Sequence, residues 1–461
     1  MRDLSALIKA YDVRGIVPDQ WGTELAREAG VAFVEVLGIR AQDGGEGKIV
    51  IGHDMRPTGP DLVAAFIDGV TSAGVDVVNI GLCSTDGLYF ASGRENVPGA
   101  MFTASHNPAE YNGIKLCRAG AAPVGQDTGL AEIRTMLESE ELPTFDGPAG
   151  TTTNVDMLTA YSEFLRELVP LDGIRPLKVV IDTGNGMGGY TVPAVLGNQI
   201  LSALPLEIDE MYFELDGTFP NHEANPIDPE NLRDLQKRVL EVGADIGLAF
   251  DGDADRCFVV DEKGQIVDPS TLTALIATRE LAKEPGSVII HNLITSRSVP
   301  EIVVEHGGTP VRTRVGHSFI KATMAETGAI FGGEHSGHFY FREFWKADSG
   351  MLAAMHALAA LGETAEGTSL SSLLAEFIRY VPSGEINTTV ADAAAVIERI
   401  RNEYAGKDVA IDTLDGLTVT ADTWWFNVRP SNTEPLLRLN AEASTVEDME
   451  ALRDSVLALM G

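Results

Sequence analysis

The sequence predicts an α/β fold, three similar mixed α/β domains plus a smaller C-terminal α+β domain around a central cleft, and three observations predict it. The chain has 461 residues, too many for one ordinary core when domains run to roughly 100–200 residues. Short apolar, β-branched runs (Lys48 to Ile51, Val75 to Ile80, Lys178 to Ile181, Ile246 to Phe250, Ser287 to Ile290) alternate with helical patterns. Such alternation builds parallel or mixed sheets covered by helices. Beyond about Val381 the order changes to a strand, a helix over Ala391 to Tyr404, several strands through Leu439 and a helix over Val446 to Met460, which reads as α+β. Turn-rich stretches near Pro143 to Thr152, Asp261 to Pro269 and Gly362 to Thr368 mark borders. The expected domains are therefore 1–152, 153–262, 263–372 and 373–461, with clefts between them.

Charge and composition narrow the function. The formal net charge is −34, a field that repels nucleic acid and anionic membrane surfaces, so neither is an expected partner. An anionic substrate then needs a local basic pocket. Three cysteines, Cys83, Cys117 and Cys257, share no close spacing, which indicates neither a disulfide framework nor a zinc site and fits a reducing cytoplasm. The amino terminus lacks an apolar signal region, and no run approaches the roughly 20 apolar residues of a membrane span. The expectation is a soluble cytoplasmic protein.

Four loops carry the chemistry. The first, Thr103-Ala104-Ser105-His106-Asn107-Pro108, follows the apolar run Pro98 to Phe102, so Ser105 stands at the mouth of a strand, where nucleophiles are often exposed. The same stretch also spells a helix start, with Asn107 as cap, Pro108 at the first turn and Glu110 as the capping-box acid. The second, Asp251-Gly252-Asp253-Ala254-Asp255-Arg256, follows the strand Ile246 to Phe250. In extended backbone alternate residues face one side, so three carboxylates can converge on one hard cation. With Glu262 it imitates a calcium loop, but Arg256 replaces the glycine that loop needs and the flanks read as strands, so an EF-hand is rejected. A solvated acidic turn is the plainer alternative.

The third loop is Gly332-Gly333-Glu334-His335-Ser336-Gly337-His338. Its glycines let backbone approach a ligand, while a carboxylate and a hydroxyl can bind sugar hydroxyls; a glycine-rich turn between strands would look similar. The fourth, Arg429-Pro430-Ser431-Asn432-Thr433-Glu434-Pro435, combines an arginine with hydroxyl, amide and backbone donors that suit a phosphate monoester. Its plainer reading is a polar hairpin loop.

Together the four loops, in this order, resemble the α-D-phosphohexomutase superfamily, and within it the bacterial phosphomannomutase/phosphoglucomutase branch. Tyr11-Asp12-Val13-Arg14-Gly15 and Arg314-Val315-Gly316-His317 add to the likeness, which covers essentially the whole chain. The resemblance implies Ser105 as the phosphoserine, with Asp251, Asp253 and Asp255 holding Mg²⁺ together with an oxygen of that group. It implies Arg14 and Lys115 beside the reacting phosphoryl group, Lys115 and His338 being the acid/base candidates. Tyr11, Arg256 and His317 would line the sugar site, Glu334 and Ser336 would bind sugar hydroxyls, and Arg429 with Ser431, Asn432 and Thr433 would grip the non-reacting phosphate. Each domain would contribute one loop to the central cleft.

The implied activity is reversible interconversion of mannose 6-phosphate and mannose 1-phosphate, extending to glucose phosphates, through a hexose 1,6-bisphosphate that also serves as activator. A monomer or weak dimer is expected. Where bifunctional relatives are expected to carry a lysine, this chain has Ile294, which puts equal use of glucose and mannose in doubt. Phosphoglucosamine mutase is the rival within the family; a serine phosphatase that gives the phosphoryl group to water, and a non-catalytic sugar-phosphate sensor, are the rivals outside it. Gly184-Asn185-Gly186-Met187-Gly188-Gly189 satisfies G-x-G-x-x-G and suggests a dinucleotide site, but reads better as a closely packed strand-to-helix turn. His356, in the apolar run Met351 to Leu361, reads as helix packing.

Overall fold

The computed structural model describes residues 2–431 and 436–461, with the side chain of His317 outside the description. The chain forms two compact units, one of Met1–Pro269 with Ser336–Leu373, the other of Ser270–His335 with Leu374–Gly461.

The first unit opens with a mixed sheet. Its strands run in the order Val13–Ile16, Tyr111–Arg118, Gly99–Phe102, Lys48–His53, Asp76–Leu82 and Thr152–Asn154, with Ala122–Pro123 beside Tyr111–Arg118. The central strands pair in parallel, whereas Tyr111–Arg118 runs antiparallel to both its neighbours. Apolar faces of the helices Thr23–Leu37 and Gly59–Ser72 bury Phe33 and Phe66 with Phe102 of the sheet. Phe66 meets Phe102 edge-on at 5.4 Å, and full burial of such a ring contributes about 2–3 kcal/mol. This core holds the strand Gly99–Phe102 rigid immediately before Ser105.

A second mixed sheet has the order Ile266–Val267, Cys257–Asp261, Ile246–Phe250, Leu177–Asp182, Leu206–Met211. Ile246–Phe250 and Cys257–Asp261 form an antiparallel hairpin with every residue buried, so the acidic loop at its tip is carried by two core strands. The turn Gly184–Gly189 leads from the strand Leu177–Asp182 into the helix Gly188–Val195. This unit also contains the hairpin Phe339–Phe341 with Ala347–Asp348, and the helix Gly350–Gly362, buried along its whole length. His356 stacks flat on Phe341 at 5.3 Å, a packing role.

In the second unit, Val288–Asn292 pairs in parallel with Thr309–Thr313 and Phe331–Gly333. The C-terminal part is an antiparallel sheet in the order Val381–Thr389, Leu436–Ala443, Trp424–Pro430, Leu417–Thr420, Ala410–Asp412. The helices Ala393–Tyr404 and Val446–Met460 close its core through Ile400, Tyr404, Leu452 and Val456 against Phe426, Val428, Leu437 and Leu439. Each helix starts on a side-chain cap, Asp392 accepting from Ala395 N–H and Thr445 from Asp448 N–H, as such caps do. The α/β parts followed by a terminal α+β part agree with the fold class read from the sequence.

Candidate active site

The strand Gly99–Phe102 does not lead into a helix. Residues 103–110 turn back into the strand Tyr111–Arg118, so the cap-like spelling of Asn107, Pro108 and Glu110 serves a turn. The reason is Arg56, fully buried, which donates to the carbonyls of Ser105 at 2.9 Å, Asn107 at 2.6 Å, and Pro108 and Tyr111 at 2.8 Å. Those carbonyls are thereby satisfied without helical hydrogen bonds. Arg56 is itself paired with Asp54 at 3.2 Å and lies over the Phe219 ring.

Within this frame Ser105 adopts a left-handed backbone, φ 49°, which costs a non-glycine residue on the order of 1–2 kcal/mol. Its amide donates to Thr103 Oγ1 at 2.9 Å, and its hydroxyl donates to Asp251 Oδ2 at 2.9 Å. Arg256 reaches the same hydroxyl at 3.3 Å while its Nε donates to Asp251 Oδ2 at 2.9 Å. His106, beside Ser105 Oγ at 3.2 Å, accepts from Arg256 on Nδ1. Burial and the Arg256 charge push its pKa down to about 2, so it is a neutral spacer.

The acidic loop brings oxygens of Asp251, Asp253 and Asp255 within 4.8 Å of one another. Burial pushes the Asp251 carboxyl up to about 8, with Arg256 pulling against it. Burial also works against the Asp253 carboxylate, yet Lys115 outweighs it and holds that group below the usual range. Lys115 Nζ donates to Asp253 Oδ2 at 2.7 Å and Asp255 Oδ2 at 2.5 Å. Burial opposes the ammonium, but these two carboxylates raise its pKa well above the ordinary value. Asp253 Oδ1 and Asp255 Oδ1 are buried and, among the described residues, accept no hydrogen bond. Buried carboxylate oxygens left in this state are costly unless a cation takes them. An all-oxygen donor set of three aspartates and a hydroxyl suits a hard divalent ion such as Mg²⁺.

Other residues singled out in the sequence gather here. Arg14 donates to Asn107 Oδ1 at 2.7 Å and to Asp12 at 2.5 Å. His338 Nε2 lies 3.7 Å from Asp255 Oδ1 and 4.0 Å from Asp348 Oδ2, and its Nδ1 lies 3.1 Å from Ser336 Oγ. Arg256 and His338 form an isolated backbone bridge. Tyr11 is half-buried just before the strand Val13–Ile16.

In the second unit, the buried Glu334 accepts from Gly316 N–H at 3.2 Å and Asn292 Nδ2 at 3.4 Å, joining the third loop to the Arg314–His317 motif. Arg429 is buried and donates to Glu385 Oε2 at 2.6 Å, while among the described residues its Nη1 has no hydrogen-bond partner. Ser431 N–H donates to Leu436 O at 2.9 Å. Asn432, Thr433 and the His317 side chain lie outside the described residues. Ile294 sits in an apolar cluster with Leu293, Trp425 and Val315, so its side chain serves packing.

Sequence reasoning passed over Arg56 and Thr85, which donates both N–H and hydroxyl to Asp253. Arg56 left one signal, the Asp54-x-Arg56-Pro57 turn directly after a strand; Thr85 left none beyond that of an ordinary helix start.

A hydroxyl on one of three clustered carboxylates, with cations ready for phosphate charge, is the equipment of a phosphotransferase. Comparison with known proteins makes this specific. The phosphoglucomutase/phosphomannomutase families match in order: α/β/α domain I at residues 5–144, domain II at 159–264, domain III at 268–380, and the C-terminal domain at 385–459. The phosphomannomutase of Salmonella montevideo is 39% identical over 98% of this chain and 98% of its own length. A Xanthomonas campestris protein named phosphohexose mutases is 41% identical over 94% of each chain. The crystal structure of a phosphoglucomutase/phosphomannomutase family protein from Burkholderia thailandensis superposes with a TM-score of 0.87 at 32% identity, covering 100% of this chain and 97% of that one. The chain belongs to the phosphoglucomutase/phosphomannomutase family, a family of phosphohexomutase enzymes.

Proposed function

We propose that the chain is a phosphomannomutase, interconverting mannose 6-phosphate and mannose 1-phosphate, with glucose phosphates as further substrates, through phosphorylated Ser105. The observation that carries the reading is the Ser105 hydroxyl on Asp251 at 2.9 Å, in a cluster where Asp253 and Asp255 each keep one oxygen without a hydrogen bond. The names of the relatives support mannose as the sugar. Asp251, Asp253, Asp255 and an oxygen of phosphorylated Ser105 would hold Mg²⁺, which when bound supplies positive charge for the phosphoryl oxygens.

In the forward half-reaction a free sugar hydroxyl attacks the phosphorus of phosphoserine in line. The new P–O bond forms as the bond to Ser105 Oγ breaks, and the sugar leaves this step as the 1,6-bisphosphate. The transition state is loose and rich in charge, so catalysis depends on alignment and cations. Lys115 enters as an ammonium, stabilises this charge and gives its proton to the departing Ser105 Oγ, while the proton of the attacking sugar hydroxyl would pass to His338. In the return half-reaction the other phosphate passes to Ser105 Oγ, whose proton returns to Lys115, and the freed sugar oxygen takes its proton back from His338. His338, between Asp255 and Asp348, is the second acid/base candidate.

Between the two steps the bisphosphate must turn round. A turn exchanging C1 with C6 roughly exchanges O3 with O4, so one carboxylate on those hydroxyls, Glu334, serves both orientations. Mannose and glucose differ at C2, which such an anchor barely senses. Arg429 with Ser431, Asn432 and Thr433 would hold the non-reacting phosphate, and Tyr11, Arg14, Arg256, His317 and Ser336 complete the contacts. A hexose 1,6-bisphosphate is the activator that restores phosphoserine. Three free cysteines, all buried, fit a cytoplasmic enzyme, and we place it there as a monomer or weak dimer. Among the described residues no helix is long and apolar enough to cross a membrane.

The test is a side-by-side assay of mannose, glucose and glucosamine 1-phosphates with Mg²⁺ and activating bisphosphate. Mannose 6-phosphate should form fastest, with little inorganic phosphate released. Turnover confined to the glucosamine compound would reassign the sugar, and phosphate release matching substrate loss would make the protein a phosphatase.

A further inference from the structure

We infer that Thr85 is a positioning residue for the metal loop: it turns the Asp253 carboxylate so that Oδ1 alone is left for a cation, and the buried Asp86 carboxylate fixes Thr85 in place. The inference rests on the metal reading above. The helix Thr85–Glu95 begins on a Ser84 cap and is buried through Gly93. The amide of its first residue would have no partner within the helix. Here it donates to the carbonyl of Asp253 at 3.0 Å, and the Thr85 hydroxyl donates to Asp253 Oδ2 at 2.6 Å. One residue therefore grips both the backbone and the side chain of Asp253. With Lys115 at 2.7 Å on that same Oδ2, two donors are spent on one oxygen and none on the other. The carboxylate cannot swap its oxygens without losing both bonds.

What keeps Thr85 still is the next residue. Asp86 is fully buried and accepts from three hydroxyls: Ser84 on Oδ1, and on Oδ2 both Tyr161 and Ser349, these two at 2.7 Å. Tyr161 belongs to the helix Leu158–Leu168, and Ser349 caps the helix Gly350–Gly362 through Leu352 N–H at 3.1 Å. That second cap also lies against the acidic loop. A Cβ on Gly350 would stand 2.6 Å from Arg256 O and 2.9 Å from Ala254 O. The acidic loop thus touches two capped helix starts that are joined at one carboxylate. Outer groups that orient metal ligands in this way are typically worth 10–100-fold in metal affinity.

The experiment is titration calorimetry of the full-length enzyme with Mg²⁺ alone, comparing wild type, Thr85→Val, Thr85→Ser and Asp253→Asn. Thermal melting in chelator confirms that each variant is folded. Thr85→Val keeps the shape and loses the hydroxyl, and Mg²⁺ should bind roughly tenfold more weakly. Thr85→Ser should recover most of that loss, which general damage to the helix would not predict. Binding to Thr85→Val within about twofold of wild type, or no recovery with serine, overturns the positioning role. Wild-type-like binding by Asp253→Asn would overturn the metal reading and the inference with it.

Discussion

Asp251 Oδ2 receives the Ser105 hydroxyl at 2.9 Å and the Arg256 guanidinium at 2.9 Å on the same atom. One carboxylate oxygen thus aims the hydroxyl and ties it to a buried cation. No other hydroxyl of the Thr103–Pro108 turn is so placed, since Thr103 Oγ1 is occupied by the Ser105 amide.

Ser105→Ala should therefore fold as wild type and lose essentially all mutase turnover. Intact-mass measurement should find part of the wild-type protein one phosphoryl group heavier and the variant unmodified. Wild-type-like activity in the alanine variant would remove Ser105 from the mechanism.

The glycine-rich turn after Asp182 has a packing duty toward this site. Met187 N–H donates to Gly252 O at 2.9 Å, and a Cβ on Gly186 would lie 2.7 Å from that oxygen; a Cβ on Gly252 would lie 2.4 Å from Ser105 O. Gly186→Ala should displace the acidic loop, costing about 1–3 kcal/mol of stability and lowering turnover at least tenfold. Gly173→Ala, which meets nothing within 4 Å, is the control. Unaltered kinetics in Gly186→Ala would show that the loop tolerates the shift.

What was legible in the sequence follows a physical pattern. The strand Ile246–Phe250 and its three carboxylates stand out because a β-branched and apolar run followed by acids at alternate positions is a local signal. The strand before Ser105 shows for the same reason, and the apolar run around His356 reads correctly as a buried helix. Thr85 and Asp253 are 168 residues apart, and nothing in a threonine at a helix start reveals which distant carbonyl its amide will meet. Arg56 shows only as part of a turn after a strand, for a related reason: its four acceptors are backbone carbonyls, which have no sequence identity. Ile294 stood out only as a departure, and its packing beside Trp425 depends on a partner from the terminal α+β part.

Lys115 gives a prediction of opposite sign to that for Thr85. It is the cation that hydrogen-bonds both Asp253 and Asp255, and removing one partner of a buried ion pair costs about 3–5 kcal/mol. Lys115→Met should melt well below wild type in chelator. Mg²⁺ should then raise its melting temperature more than that of wild type, because the ion no longer competes with an ammonium for the same carboxylates. Turnover should remain low in both directions at saturating Mg²⁺. An equal Mg²⁺-induced shift in the two proteins would show that the lysine charge does not oppose the ion at these carboxylates.

Asp86 carries a prediction about pH. Burial pushes its carboxyl up from the ordinary 3.8 to about 6, against the hydroxyls of Ser84, Ser349 and Tyr161 that favour the charged form. The folded protein therefore binds this proton more tightly than the unfolded chain does. A group raised in this direction contributes stability that is fully present below the unfolded value and is lost as pH rises through the folded one. At roughly 1.4 kcal/mol per unit, most of the loss falls between about pH 4 and pH 7. Asp86→Asn cannot titrate, and the Tyr161 and Ser349 hydroxyls can turn to accept from its amide, so the variant should fold. Denaturant unfolding of both proteins across this range, in chelator, should show the stability difference of wild type minus variant shrinking by roughly 2 kcal/mol as pH rises. The remaining carboxylates titrate alike in the two proteins and cancel in that difference. A constant difference from pH 4 to 7 would mean that Asp86 is ionised throughout, and that its three hydroxyl donors outweigh its burial.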